Sequence, residues 1–256
     1  MNVSLNIVKV GGHIVEDDLE LHNLLDAFSK IEGKKILVLG GGRVATALAS
    51  QLGITTQMID GRRVTTEEML RIVTMVYAGL ISKTVVAALQ LKGVNAIGLC
   101  GADMNLILSQ KRPVEPIDYG FVGDVKEVNA NGLSTLLDMG SVPVLCPITH
   151  DGQGQLLNTN ADTIAQEVAS ALALKYDVTL TFCFEKEGVL LNENDPSSVR
   201  RQLRKKDFFV YRKEGRVCGG MIPKLENAFM AIEAGVKKVV ITSAQKLGTD
   251  SGTTIL

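Results

Sequence analysis

Lys35-Ile36-Leu37-Val38-Leu39-Gly40-Gly41-Gly42-Arg43-Val44-Ala45 is an apolar run broken by three glycines. It reads as a strand, a sharp turn and the start of a helix. Lacking a Cβ, each glycine can take positive φ and can let its N–H approach a bound group closely. The N-terminus of a helix carries partial positive charge, so a helix opened by such a turn suits an anion. Taken alone, the cluster fits a merely tight turn equally well. Upstream, however, Leu5-Asn6-Ile7-Val8-Lys9-Val10-Gly11-Gly12 repeats the design with a lysine inside the strand. Two strand-to-glycine junctions, one carrying a fixed cation, point to a site that handles phosphate.

The 256 residues, 46% of them hydrophobic, can form one large α/β domain or two smaller lobes. Net charge is −1. The one basic run, Arg200-Arg201-Gln202-Leu203-Arg204-Lys205-Lys206, reads as a solvated helix face, so no nucleic-acid partner is expected. Cys100, Cys146, Cys183 and Cys218 show no ligand spacing and read as reduced thiols of a cytoplasmic protein. No apolar stretch approaches membrane-spanning length and no secretory leader opens the chain, so no membrane partner is expected.

Periodicity fills in the rest. Leu21, Leu24, Leu25, Phe28 and Ile31 share a helical face that Gly33 ends. Thr65 and Glu68 form a capping box, and the helix behind it turns Met69, Ile72, Val73, Val76 and Leu80 inward. Strands are expected over 96–99, 142–145, 178–184 and 238–242, alternating with helices. The stretch 119–125, rich in glycine, valine and aromatics, suits a small hairpin, and 208–216 is open between strand and loop. The alternation predicts an α/β fold with a parallel sheet covered by helices.

The ordered set Lys9-Val10-Gly11-Gly12, Gly40-Gly41-Gly42, Gly61-Arg62-Arg63-Val64-Thr65, Gly98-Leu99-Cys100-Gly101-Ala102-Asp103, Gly120-Phe121-Val122-Gly123, Asn158-Thr159-Asn160-Ala161-Asp162, Gly220-Met221-Ile222-Pro223-Lys224 and Gly252-Thr253-Thr254-Ile255 resembles the amino acid kinase family over nearly the whole chain. The resemblance implies a three-layer αβα sandwich around a mostly parallel central sheet. Residues 1–177 would form an N-terminal lobe for the amino-acid substrate and dimerisation, and 178–256 a C-terminal lobe for nucleotide. It implies phosphoryl transfer from ATP, carried with Mg2+, to the side-chain carboxylate of an N-acylated L-glutamate in arginine biosynthesis. N-acetyl-L-glutamate is the preferred acceptor and N-succinyl-L-glutamate the alternative. It further implies a homodimer insensitive to arginine, because the first strand begins by Leu5 and leaves no room for the extra helix that links arginine-inhibited relatives into rings.

By the same resemblance Lys9 and Lys224 neutralise the transferring group and Asp162 holds both. Gly11 and Gly12 offer N–H groups to phosphate, Gly41 and Gly42 line the substrate side, and Asn158 binds the substrate. Gly188, Val189, Leu190 and Gly220 belong to the nucleotide side. Arg63 would clamp a substrate carboxylate through its planar fork, a role for which Arg62 competes. No protein metal site is expected. His13, His22 and His150 are scattered and receive no role. Three departures stand out: Leu39 where the family often has histidine, Met104 where a small residue is usual, and Phe184-Glu185-Lys186-Glu187 in the segment that normally cups the nucleotide.

Two rival readings remain. Gly40-x-Gly42-x-x-Ala45 matches the dinucleotide fingerprint, with Asp60 about 20 residues on, which would make the chain a nicotinamide-dependent oxidoreductase. A non-catalytic ligand-binding regulator on the same fold would fit the altered 184–187 segment.

Overall fold

The computed structural model describes residues 2–59, 61–192 and 194–256. In chain order its elements are β1 (Val3–Val10), α1 (Gly12–Glu16), α2 (Asp18–Ser29), β2 (Lys34–Leu39), α3 (Gly42–Gln51), β3 (Met58–Ile59), β4 (Arg62–Arg63) and the long α4 (Glu67–Leu91). There follow β5 (Ala96–Leu99), β6 (Ile107–Lys111), β7 (Gly123–Val128), α5 (Ala130–Asp138), β8 (Val142–Leu145), β9 (Ile148–His150), β10 (Leu156–Asn158) and α6 (Ala161–Ala173). The last are β11 (Tyr176–Phe184), β12 (Gln202–Leu203), α7 (Lys205–Lys213), α8 (Met221–Glu233), β13 (Lys238–Ser243) and β14 (Thr253–Ile255).

Among the described residues eight strands form the central sheet, in the order β12-β14-β13-β11-β1-β2-β8-β5. It is parallel from β13 to β5, and β14 runs antiparallel to β13. β1 reads as a near-continuous apolar run because both its faces are covered. Leu5 and Ile7 enter a core with α5, α6, α7 and α8, while Val8 and Val10 enter another with α1 to α4. The two cores make the three-layer αβα sandwich. A four-stranded sheet, β10-β9-β6-β7, takes up the end of the 119–125 stretch in the antiparallel pair β6–β7. Position 177 falls at the start of β11, which pairs with β1 from Val3↔Tyr176 to Val10↔Cys183. One sheet therefore runs unbroken past it.

Several expectations need correction. The stretch left open between strand and loop is mostly helix: α7 buries Phe208 against Phe229, ring centroids 5.6 Å apart. The basic run is not one helix face, because Gln202–Leu203 pairs with β14 and the helix starts only at Lys205. In α4 the inward phase slips. Met75–Ile81 is π-helical, and i→i+5 bonding widens the turn. Leu80 is consequently 60% exposed, while Tyr77 (4%) and Ile81 (5%) point inward. The same turn fuses two helices into a 25-residue helix of mean hydropathy 1.8. By length and composition alone it could cross a membrane, contrary to expectation, yet its Met69, Val73, Val85 and Leu89 are buried in the core with α1, α2 and α3.

Met104 and Asn105 both have φ of 51°. A left-handed conformation costs an L-residue about 1 kcal/mol or more, which gives a physical reason for a small residue at position 104.

Candidate active site

The site begins where β1 and β2 end side by side. The Gly40 N–H donates to Val10 O (2.9 Å) and the Gly11 N–H to Cys183 O (3.2 Å), so the glycine junctions lie in one crevice at the strands' carboxyl ends. Glycine is needed there for close approach. A Cβ on Gly12 would lie 3.3 Å from Gly42 N, one on Gly40 3.0 Å from Val10 O, and one on Gly41 2.4 Å from Ile81 Cδ1. Positive φ, expected from the sequence, is not used: none of Gly11, Gly12, Gly40, Gly41 or Gly42 adopts it.

Alternation along β1 sends Lys9 to the face opposite Val8 and Val10, where α6 starts. Asn160 caps that helix, its Oδ1 accepting from the N–H groups of Asp162 (2.8 Å) and Thr163 (3.2 Å). Asp162 stands in the first turn, 6% exposed, between two cations. Lys9 Nζ is 2.6 Å from its Oδ1, and Lys224 Nζ, from the first residues of α8, is 3.3 Å from its Oδ2. Burial pushes this carboxyl up, but the Lys9 and Lys224 charges outweigh it and hold it below the usual aspartate range. Pro223 fits because it lies in the first turn of α8.

Arg63 is buried beneath α3. Its Nη2 donates to Gly42 O (2.6 Å) and Thr46 Oγ1 (2.9 Å), and its Nη1 to Thr56 Oγ1 (3.4 Å). Much of the fork is thus spent on holding the glycine turn. Asn158 is fixed by its Nδ2, which donates to Thr65 Oγ1 (3.0 Å), and by its N–H to Phe121 O (2.9 Å). The close pairing of Thr65 with the 119–121 segment demands Gly120: its φ is +70°, and a Cβ there would meet Thr65 O at 2.3 Å.

Two cavities meet at these residues. The first takes in Gly41, Arg62, Tyr77, Asn158 and Asp162; the second takes in Gly11, Phe184, Lys186, Gly220 and Lys224. Lys9, Gly12, Gly42 and Arg63 line both and form the shared wall. Gly188 and Leu190 border a smaller hollow that shares Lys186 and Met221 with the second cavity. Val189 is turned into the core, its N–H donating to Thr253 Oγ1 (2.8 Å). The altered segment forms the rim: Glu185 lies 3.6 Å from Arg43, and Glu187 3.3 Å from Arg201.

Tyr77 was missed in the sequence because helix periodicity does not announce a π-turn. Arg62 is half-buried in the first cavity; burial lowers its pKa, and the neighbouring Arg112 charge adds to that. His13, given no role, lines the second cavity beside Arg43, its Nδ1 3.0 Å from Nη1. Val122 and Pro147 line the first cavity, whereas no residue of 100–105 does. Asp60, on which the dinucleotide reading depends, lies outside the described residues.

The amino acid kinase family model matches residues 4–243. A relative named acetylglutamate kinase from Phocaeicola vulgatus is 59% identical over 255 residues, covering 100% of this chain and 99% of its own. One of the same name from Bacteroides fragilis is 58% identical over 255 residues, covering 100% and 98%. Among solved structures, a carbamate kinase from Giardia lamblia bound to AMP-PNP superposes with a TM-score of 0.72 at 16% identity, covering 99% of this chain and 98% of its own.

Proposed function

The chain belongs to the amino acid kinase family, and from that we propose that it phosphorylates the side-chain carboxylate of N-acetyl-L-glutamate with ATP, a step of arginine biosynthesis. The observation that carries the reading is the buried Lys9–Asp162–Lys224 triad at the junction of two cavities. Bringing a phosphoryl group onto a carboxylate opposes two anions, so the gain must come from cations and N–H dipoles fixed beforehand. Lys9 lines both cavities and suits the transferring group itself; Lys224 lines only the second and suits the ATP side. Asp162 orients both ammonium groups and leaves the proton inventory unchanged, since no covalent enzyme intermediate is required. The N–H groups of Gly11 and Gly12 face phosphate, with Gly220 and, at the margin, Gly188 and Leu190 on the nucleotide side. Gly41, Gly42, Arg63 and Asn158 face the amino acid. Mg2+ arrives with ATP; both oxygens of Asp162 are engaged by lysines, so that carboxylate is not a free ligand for it.

ATP, N-acetyl-L-glutamate and hydroxylamine together should yield a hydroxamate from the acyl phosphate. ADP release without hydroxamate would overturn the reading. N-succinyl-L-glutamate is a second reading, favoured by Arg62, a further guanidinium in the first cavity that could meet an added carboxylate. A methylene in a pocket shifts selectivity by roughly 10- to 200-fold, so kcat/KM ratios decide. A preference for succinylglutamate beyond about 200-fold would exceed what pocket size gives and make it the substrate.

Arg63→Lys keeps the charge but loses the planar fork. It should raise KM for the acylglutamate about 10-fold and leave KM for ATP unchanged; steady-state titration of each substrate checks this. An unchanged acylglutamate KM would move the clamp to Arg62.

The proposal extends to an amino-acid lobe over 1–177, a nucleotide lobe over 178–256, a cytoplasmic location and a homodimer. The four unbridged thiols support the location. Exposed Met75, Leu80 and Leu91 on α4, with Ile97 beside it, support self-association, and light scattering giving a monomer mass would exclude it.

A further inference from the structure

Tyr77 is an aromatic placed by a backbone irregularity against the centre of the site. The π-turn of α4 carries Tyr77 and Ile81 onto Gly41, where a Cβ would lie 3.0 Å from Tyr77 Cδ1 and 3.1 Å from its Cε1. π-turns of this kind recur at functional sites, since they re-aim side chains at a cost in helix stability. The ring is 4% exposed, and what exposure it has opens on the first cavity, between Gly41 and Arg63. Its neighbours on the inward face of α4 are Val73, Val76 and Ile81, all apolar. For packing alone a phenylalanine or leucine would serve and would avoid burying a hydroxyl. The Arg63 charge acts directly on that hydroxyl, yet burial outweighs it and holds the phenol above its ordinary value, so it stays a proton donor at neutral pH. Arg63 itself has spent its Nη2 on Gly42 and Thr46. A carboxylate docking there therefore lacks donors unless a neighbour supplies one.

We propose that Tyr77 is a substrate-contacting residue that donates its hydroxyl to the α-carboxylate of the acylglutamate, completing the recognition that Arg63 begins. This rests on the reading that the acylglutamate fills the first cavity. No bond is made or broken by Tyr77, and its contribution is the same in ground and transition states.

Tyr77→Phe tests it, because the ring stays on Gly41 and only the hydroxyl is lost. A hydrogen bond to a charged acceptor is worth about 10- to 100-fold in binding, so KM for the acylglutamate should rise by at least about 10-fold. kcat should stay within about threefold, with KM for ATP and the melting temperature unchanged. A purely structural role predicts the opposite pattern, no change in KM on an isosteric swap. An unchanged acylglutamate KM in Tyr77→Phe, with the wild-type chain active, overturns the assignment and leaves the kinase reading standing. Absence of acyl phosphate formation by the wild-type chain sinks both.

Discussion

Replacing Lys9 with alanine should lower kcat by about 10²–10³, with a much smaller change in either KM. The magnitude is that of removing one preorganised donor from a site where charge is redistributed. Lys9 is the stronger candidate of the two lysines because it lines both cavities, and a group passing from one to the other must pass it. The fold should survive, since Asp162 keeps Lys224 as a counter-ion at 3.3 Å. Single-turnover rates with both substrates saturating, read alongside circular dichroism, check the prediction. Near-normal turnover in Lys9→Ala would remove Lys9 from the chemistry.

Asp162→Asn should act on stability and rate together. It leaves two cations facing each other with no compensating charge, and breaking a buried pair typically costs about 3–5 kcal/mol. It should also cut kcat by about 10² or more, because Lys9 loses the 2.6 Å contact that aims it. The pH dependence carries a sign. The carboxyl of Asp162 is held below its unfolded value of about 3.9, so its contribution is full above that pH and is lost as pH falls through the folded value. Denaturant midpoints of the wild-type and variant chains should therefore differ most at neutral pH and converge in acid. A gap that stays constant with pH would show that the carboxylate charge is not what stabilises the site.

What was legible in the sequence was legible for physical reasons. Lys9 inside an apolar strand end, and glycines where a Cβ would strike the neighbouring backbone, are local signals that no other chemistry explains well. The sheet follows from alternation, because a strand buried on both faces leaves few arrangements for the helices between. Tyr77 and Leu80 were misplaced because the widened turn is a hydrogen-bonding event, not a residue pattern, and one slipped bond rotates everything after it. The 205–213 helix was unreadable because two adjacent aromatics, Phe208 and Phe209, mimic a strand while only Phe208 is buried. Val189 looked like part of a nucleotide wall but answers to packing, and its partner Thr253 comes from a strand far along the chain.

The central place of β1 between β2 and β11 bears on how the chain is made. During synthesis Lys9 is among the first residues to appear, and β2 follows soon enough to pair with it. The other edge of β1 must wait for β11 until most of the protein has been translated, and β12 must wait for β14, almost the last segment. Such distant pairings slow folding and leave an apolar edge unpaired in the nascent chain, where chaperones bind and aggregation begins. A ribosome stalled before residue 176 would hold a chain whose first lysine is in place and whose strand is half-clothed. Neither lobe is thus a module that matures on its own, and the kinase comes into being only when its final strands close the sheet.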